Sequence, residues 1–263
     1  MNDKVTAALN SGMFVGTILI DLSRAFDTIN HDILLKKCNR LGLRGKFFNI
    51  LKDFMANRKV ITKIEEEISE EGAIAYGVPQ GSVLGPLLFL IYVNDIGNWS
   101  NNTIHYLFAD DIILIAMEEH YETMIKKLQG DFNEIMSWCD TNELFINEEK
   151  TQFMCVASKN KKKLVTNKKI FFHKSGCSEK DCQCGNVIEV QDTKYLGLVV
   201  DTKWSNKKHI ELVIRKLRQM MPKLYKLRSF LDTKNKIRIY SAWIESTLRY
   251  GIQAYGQAKK NLP

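Results

Sequence analysis

Hydrophobic positions along this 263-residue chain fall into two rhythms. Continuous apolar runs suited to buried strands occur at Phe14–Ile20, at Ile104–Phe108 and Ile112–Ala116, at Thr151–Ala157 and at Lys194–Val200. Ile104–Ala116 reads as two strands joined by a turn at Asp110 and Asp111. The helical rhythm appears at Asp32–Leu41, apolar at 33, 34, 35, 38 and 41, with Gly42 placed to end it. A second helix is predicted at about 45–56, with Phe47, Phe48, Ile50, Leu51, Phe54 and Met55 on one side, and an amphipathic one at 119–141. Lys59–Ile64 alternates like a strand, Glu65–Glu71 is an acidic turn, and 73–78 reads as another short strand. Gly77–Pro86, the densest cluster of glycine and proline, feeds the apolar helix of Leu87–Asp95. Ser82 is placed as its N-cap and Pro86 is tolerated in its first turn. Residues 1–13 read as a short helical tail with no preceding core to pack on. Two helices span 206–238, and Pro222 is expected to kink or break the first. Lys159–Gly185 departs from both rhythms and reads as an inserted loop.

Charge changes this picture more than composition does. The net charge of +8 divides unevenly: residues 1–158 carry 14 Lys+Arg against 22 Asp+Glu, a net of −8, and residues 159–263 carry 24 against 8, a net of +16. An acidic body with a basic C-terminal third suits a cation-binding site beside a polyanion-binding surface; an unevenly charged solvated surface is the plainer alternative. No apolar run reaches the roughly 18 residues of a membrane span, and the N-terminus lacks a signal-peptide core, so no membrane partner is expected. With six cysteines and no secretory signal, an intracellular location with reduced thiols is expected.

Asp110 and Asp111 keep unusual company. Adjacent carboxylates between long apolar runs repel one another and lose solvation unless a cation sits against them. Alone, the pair is better read as a solvated hairpin turn than as a metal site. Asp21 ends another buried strand, and strands ending at one sheet edge can bring the three carboxylates together. Three such groups can hold two hard cations about 3.5–4 Å apart, an arrangement suited to phosphoryl transfer, and Mg²⁺ fits because it shares its ligands with substrate phosphates.

Asp21-Leu-Ser-Arg-Ala-Phe-Asp-Thr-Ile-Asn-His31, Gly77-Val-Pro-Gln-Gly-Ser82 and Phe108-Ala-Asp-Asp111 occur in the order and spacing of reverse transcriptases. They most closely resemble those of non-LTR (LINE-type) retrotransposons. Leu144-Phe-Ile-Asn-Glu-Glu-Lys-Thr151 and Lys194-Tyr-Leu-Gly197 resemble the family's two later motifs, and the likeness runs from about residue 1 to 256. The resemblance implies an α+β polymerase palm, an antiparallel sheet backed by helices, with partial fingers and a helical thumb. It divides the chain into partial fingers and the first part of the palm (1–76), the rest of the palm with the insertion at about 159–186 (77–205), and a basic thumb (206–263). It implies Mg²⁺, with Mn²⁺ as a substitute, on Asp21, Asp110 and Asp111.

Other roles follow from the same likeness. Phe26 would be the steric gate under the incoming sugar, with backbone N–H groups from Leu22 through Ala25 to Phe26 near the triphosphate. Gln80 and Gly81 would lie against the nascent base pair, and Lys150 near the β/γ-phosphates as a general acid. Tyr195, Leu196 and Gly197 resemble the hairpin that grips the primer end. The partners implied are an RNA template, a DNA primer and dNTPs; the sequence does not separate nucleus from cytoplasm, and an active chain would work in the nucleus at the site of integration. The rival readings are an RNA-dependent RNA polymerase, which Phe26 argues against, and a remnant that only binds nucleic acid. Only about 20 residues precede Asp21, where relatives carry a fingers region, so the chain is expected to be an N-terminally truncated copy. Tyr255 stands where relatives often place Trp. His173-x3-Cys177-x4-Cys182-x-Cys184 offers four zinc ligands at a spacing unlike the usual fingers and knuckles; a loop of reduced thiols is the alternative.

Overall fold

The structure, a computed structural model, describes residues 1–56, 58–158, 161–166, 168–173, 177 and 184–256. In chain order its elements are α1 (Asn2–Asn10), β1 (Phe14–Ile20), α2 (His31–Arg40), α3 (Gly45–Met55), β2 (Lys59–Val60), β3 (Lys63–Ile64), β4 (Glu67–Ile68), β5 (Gly72–Ala73) and α4 (Leu84–Val93). They continue with β6 (Ile104–Phe108), β7 (Asp111–Glu118), α5 (Tyr121–Thr141), β8 (Gln152–Val156), β9 (Ile188–Glu189), β10 (Asp192–Tyr195) and β11 (Leu198–Asp201). The last are α6 (Lys207–Leu227), α7 (Thr233–Ile239), a π-helical turn (Tyr240–Glu245), α8 (Ser246–Arg249) and α9 (Ile252–Tyr255). They form two compact units, one of Gly16–Phe153 with Val165–Glu189, the other of Met1–Val15, Met154–Leu164 and Val190–Pro263. Among the described residues no helix is long and apolar enough to cross a membrane.

The first unit is built on a five-stranded sheet of order β6–β7–β1–β8–β9. β6 and β7 pair antiparallel, and the two-residue β9 joins β8 in parallel. Five consecutive β7 residues, Ile112–Ala116, are buried, which requires cover on both faces. α5 presents Met124, Ile125, Leu128, Phe132, Ile135 and Trp138 to the core at helical spacing. It lies so close to β1 that a Cβ on Gly16 would come within 2.6 Å of Leu128 and 2.7 Å of Met124. The other helices are tied in by a buried cation. Lys37 Nζ donates to the Tyr92 carbonyl and to Asp95 Oδ1, both at 2.6 Å, and Asp95 Oδ1 also accepts from the Trp138 indole at 3.2 Å. Burial lowers the Lys37 pKa, against the raising effect of Asp95.

Four sequence expectations change in this unit. α3 exposes Phe47 and Ile50 and buries only Leu51 and Met55, because just its C-terminal half meets the core. The segment 59–64 is interrupted: β2 pairs with β5 and β3 with β4, giving one exposed hairpin with Glu65 at its tip, φ 54°. The strand at 73–78 shrinks to Gly72–Ala73, because Gly77 adopts φ 81° and turns the chain. Ser82 lies two residues before α4 rather than at its N-cap, yet its hydroxyl still accepts from the Gly85 N–H at 3.0 Å.

In the second unit α1 is not a bare tail. Val5 and Ala8 are buried, and the Trp204 indole, far along the chain, donates to Thr6 Oγ1 at 3.3 Å. The single strand expected at 194–200 is the hairpin β10–β11, with Leu196 and Gly197 at φ 44° and 78° in its turn. The Tyr250 hydroxyl donates to the Leu196 carbonyl at 2.7 Å and packs over Gly197. α6 runs unbroken through Pro222: losing one backbone bond leaves enough on either side of 21 residues to keep the helix continuous.

Candidate active site

The closing pair of the β6–β7 hairpin is Phe108 with Asp111, leaving Ala109 and Asp110 as a two-residue turn. Ala109 sits at φ 53°, a left-handed conformation that costs a non-glycine residue on the order of 1 kcal/mol. The turn presents both Asp110 and Asp111 to solvent.

Asp21 directly follows β1, the neighbour of β7 in the sheet. A loop from the other side fixes it. The Asp21 N–H donates to Thr151 Oγ1 at 3.3 Å, its carbonyl accepts from Asn147 N–H at 2.8 Å, and Leu22 bridges to Ile146. Lys150 on that loop places Nζ 3.8 Å from Asp21 Oδ2, both groups being solvated enough for the pair to be weak. The three carboxylates share one electrostatic field. Partial burial raises the Asp111 pKa above the usual carboxylate range, and the charges of Asp110 and Asp21 raise it further. Three mutually repelling acidic groups with open faces are a donor set that a hard divalent cation relieves, so the residues fit such an ion.

The neighbouring residues form a connected floor. Phe26 is half-buried and its ring stacks on Phe89, centroids 4.5 Å apart at 28°. Ala25 is buried. The Phe26 carbonyl accepts from Val78 N–H at 2.8 Å and the Ile29 carbonyl from Gly77 N–H at 2.8 Å, which ties the glycine-rich loop to the Asp21–His31 turn. A Cβ on Gly77 would lie 2.8 Å from the Asp27 backbone, so only glycine allows this approach. Gln80 Nε2 donates to Asp27 Oδ1 at 2.8 Å, and Gly81, at φ 78°, faces open space. Asp27, Gln80, Tyr76 and Arg58 line a cleft of about 360 Å³.

The structure thus gathers Asp21, Asp110, Asp111 and Lys150, and holds Phe26, Ala25, Gln80 and Gly81 on one linked loop system. Tyr195, Leu196 and Gly197 form the turn of β10–β11 in the other unit. Of the proposed zinc ligands, His173, Cys177 and Cys184 are brought together, their ligand atoms all within 4.8 Å of one another; Cys182 lies outside the described residues.

Several supporting residues gave little sign of themselves in the sequence. Thr151 reads as a strand residue and Phe89 as helix core; Asp27 falls within the Asp21–His31 motif without a role, and Arg58 lies in no motif. Asp131 is the most consequential. Its buried carboxylate accepts from the N–H and side chain of both Asn102 (2.9 and 2.8 Å) and Thr103 (2.8 and 2.7 Å), anchoring the start of β6 to α5. Burial alone would raise its pKa, but these four hydrogen bonds hold it below the usual range. A depressed folded-state pKa contributes stability above the unfolded value of about 3.9 and loses it as pH falls through the folded one. Asp131→Ala should therefore cost roughly 2–3 kcal/mol in urea unfolding at pH 7, with the gap from wild type narrowing below about pH 4. A gap independent of pH would show that packing, rather than the ionised carboxylate, carries the effect.

Acidic groups converging at a sheet edge, with a solvated lysine beside them, are a donor set of the kind that phosphate chemistry with divalent cations employs. Residues 7–200 match the family described as Reverse transcriptase (RNA-dependent DNA polymerase), and the chain belongs to that family, whose members generally use divalent metal ions. It is 26% identical over 263 residues to the Drosophila melanogaster protein named Probable RNA-directed DNA polymerase from transposon X-element, covering 97% of this chain and 27% of that protein. It is 28% identical over 268 residues to the RNA-directed DNA polymerase from mobile element jockey of Drosophila funebris, covering 96% of this chain and 27% of the relative. The chain thus spans about a quarter of the length of these relatives. The structure of telomerase from Candida albicans in complex with a fragment of telomeric RNA shares the fold, with a TM-score of 0.52 at 11% identity over 98% of this chain and 48% of that one.

Proposed function

We propose that this chain is the polymerase portion of a LINE-type retrotransposon protein and copies RNA into DNA. The convergence of Asp21, Asp110 and Asp111 at one sheet edge is the observation that carries this reading. Mg²⁺ or Mn²⁺ held by these carboxylates would supply charge stabilisation to the transferring phosphoryl group and acidify the attacking hydroxyl. The primer 3′-oxygen bonds to the α-phosphorus of a dNTP as its proton leaves to solvent. The bond from the α-phosphorus to the α–β bridging oxygen breaks and pyrophosphate departs.

The remaining work falls to the chain's own side chains. Phe26, braced by Phe89, excludes a 2′-hydroxyl by its bulk. Gln80, oriented by Asp27, faces the nascent pair beside Gly81. Lys150 offers a proton and a positive charge to the departing pyrophosphate. Leu196 and Gly197 contact the primer end from a turn braced by Tyr250. Residues 1–76 act as partial fingers with the first part of the palm, 77–205 as the rest of the palm, and 206–263 as a thumb. The eleven Lys and Arg residues between 206 and 238 hold template–primer phosphates, so binding weakens steeply with salt. The natural setting is the nucleus, at the site of integration.

Primer extension on an RNA template tests the reading. Extension with dNTPs should stop under a chelator and return with Mg²⁺ or Mn²⁺. Extension that persists under chelation would refute the metal assignment. Salt-sensitive binding without extension under either ion would mark the chain as a binder only.

A further inference from the structure

The excursion between β8 and β9 is better built than its composition suggests. Residues 170–172 and 185–187 pair as an antiparallel neck. Phe172 N–H donates to the Gly185 carbonyl at 2.9 Å, Val187 N–H to the Ile170 carbonyl at 2.8 Å, and Phe171 bridges to Asn186. The neck is clamped to α5. Gln129 accepts from the Phe171 N–H at 2.8 Å and donates to its carbonyl at 2.9 Å, and the buried Phe172 meets Phe132 edge-on, centroids 5.4 Å apart. His173 and Cys184 extend the last pair of this neck from its two sides, and Cys177 returns to them.

We infer that His173, Cys177 and Cys184 form a zinc site at the end of this neck. Ligand atoms on a tetrahedral zinc, at about 2.0–2.3 Å, lie roughly 3.3–3.8 Å from one another. The sulfurs of Cys177 and Cys184 are 3.5 Å apart, within that range and far beyond a disulfide bond of about 2.05 Å. The imidazole nitrogen lies within 4.8 Å of both sulfurs, so a small side-chain adjustment completes three tetrahedral positions. Two thiolates with one imidazole select zinc over Mg²⁺ or Ca²⁺, which take oxygen ligands. All three side chains are half-buried, accessible to an ion yet seated on a fixed neck. Cys38, Cys139 and Cys155 do not compete: all three are buried, and burial raises the thiol pKa of Cys38 and pushes that of Cys139 up to about 12. Binding converts two thiols to thiolates and releases their two protons, so loading weakens as pH falls. The site is separate from the carboxylate triad in both ligands and metal preference, and it stands whether or not the chain polymerises.

Cobalt(II) titration of the full chain, reduced and stripped of metal, tests this. The expected result is about one Co²⁺ per chain with intense thiolate charge-transfer and tetrahedral visible bands, displaced by Zn²⁺. Cys177→Ser with Cys184→Ser should abolish those bands, and Asp110→Asn should leave them intact. Bands of equal strength in the double variant, or none in the wild type, would overturn the assignment. Trypsin gives a second readout that needs no substitution, since Lys161, Lys162, Lys163, Lys168 and Lys169 lead into the neck. Zinc should slow cleavage there by about tenfold or more, and cleavage indifferent to zinc would count against the site.

Discussion

Asp110→Asn should lower single-nucleotide incorporation by at least about 10³-fold while leaving template–primer affinity within about twofold. The substitution keeps the size of the side chain and removes one negative charge from a group of three. A thousandfold loss corresponds to roughly 4 kcal/mol of transition-state stabilisation, a reasonable share for one ligand of a cation that carries charge on a transferring phosphoryl group. The same change relieves the pressure on Asp111, whose carboxyl is held above its usual range by burial and by the charges of Asp110 and Asp21. The metal-free variant should therefore melt no lower than wild type, and up to about 3 °C higher. Rate loss with a preserved melting temperature separates a chemical role from a structural one. Rate loss accompanied by unfolding would assign Asp110 to the fold instead.

Phe26→Ala should reduce discrimination between dNTPs and rNTPs by about 10²-fold or more, read as the ratio of the two kcat/KM values. A steric gate works by exclusion, so if Phe26 is one its strength depends on how firmly the ring is held. Phe89 stacks beneath it at 4.5 Å, and the Val78 N–H fixes its backbone. The change should fall chiefly on rNTP incorporation, with the dNTP rate moving by less than about tenfold. Phe89→Ala, which loosens the ring without deleting it, should give an intermediate loss. A ratio unchanged in Phe26→Ala would show that the ring is only part of the core.

The parts of the fold legible in sequence were those written in continuous local patterns. Phe14–Ile20, Ile104–Ala116 and the long helix Tyr121–Thr141 announce themselves by uninterrupted apolar runs or by helical spacing. What stayed hidden depended on partners far along the chain. α1 is tied to a partner 198 residues away through the Thr6–Trp204 hydrogen bond, and Asp131 is an anchor only because Asn102 and Thr103 point four donors at it. Backbone conformation hid other features. Leu196, an apolar residue inside an apolar run, takes a positive φ, so 194–200 looked like one strand and is two. Pro222 illustrates the reverse, a local breaker overruled by the helix around it.

The candidate site was more legible than its supports. Short motifs identified Asp21, Asp110 and Asp111 through a family likeness, and the sheet order puts their strands side by side. Phe89 carried no comparable signal, because a helix phenylalanine is an ordinary core residue anywhere else. The cysteine and histidine cluster was ambiguous for a different reason. Its spacing matches no common zinc motif, and only the paired neck shows why residues 173, 177 and 184 meet.

The most direct test of the carboxylate triad is Mn²⁺ binding followed by electron paramagnetic resonance, with the wild-type chain set against Asp21→Asn combined with Asp110→Asn. If the three carboxylates hold the catalytic cations, free Mn²⁺ signal should fall in the presence of wild type with template–primer and dNTP, and the double substitution should weaken that binding by about 10²-fold or more. Equal Mn²⁺ binding by the two proteins would contradict the assignment.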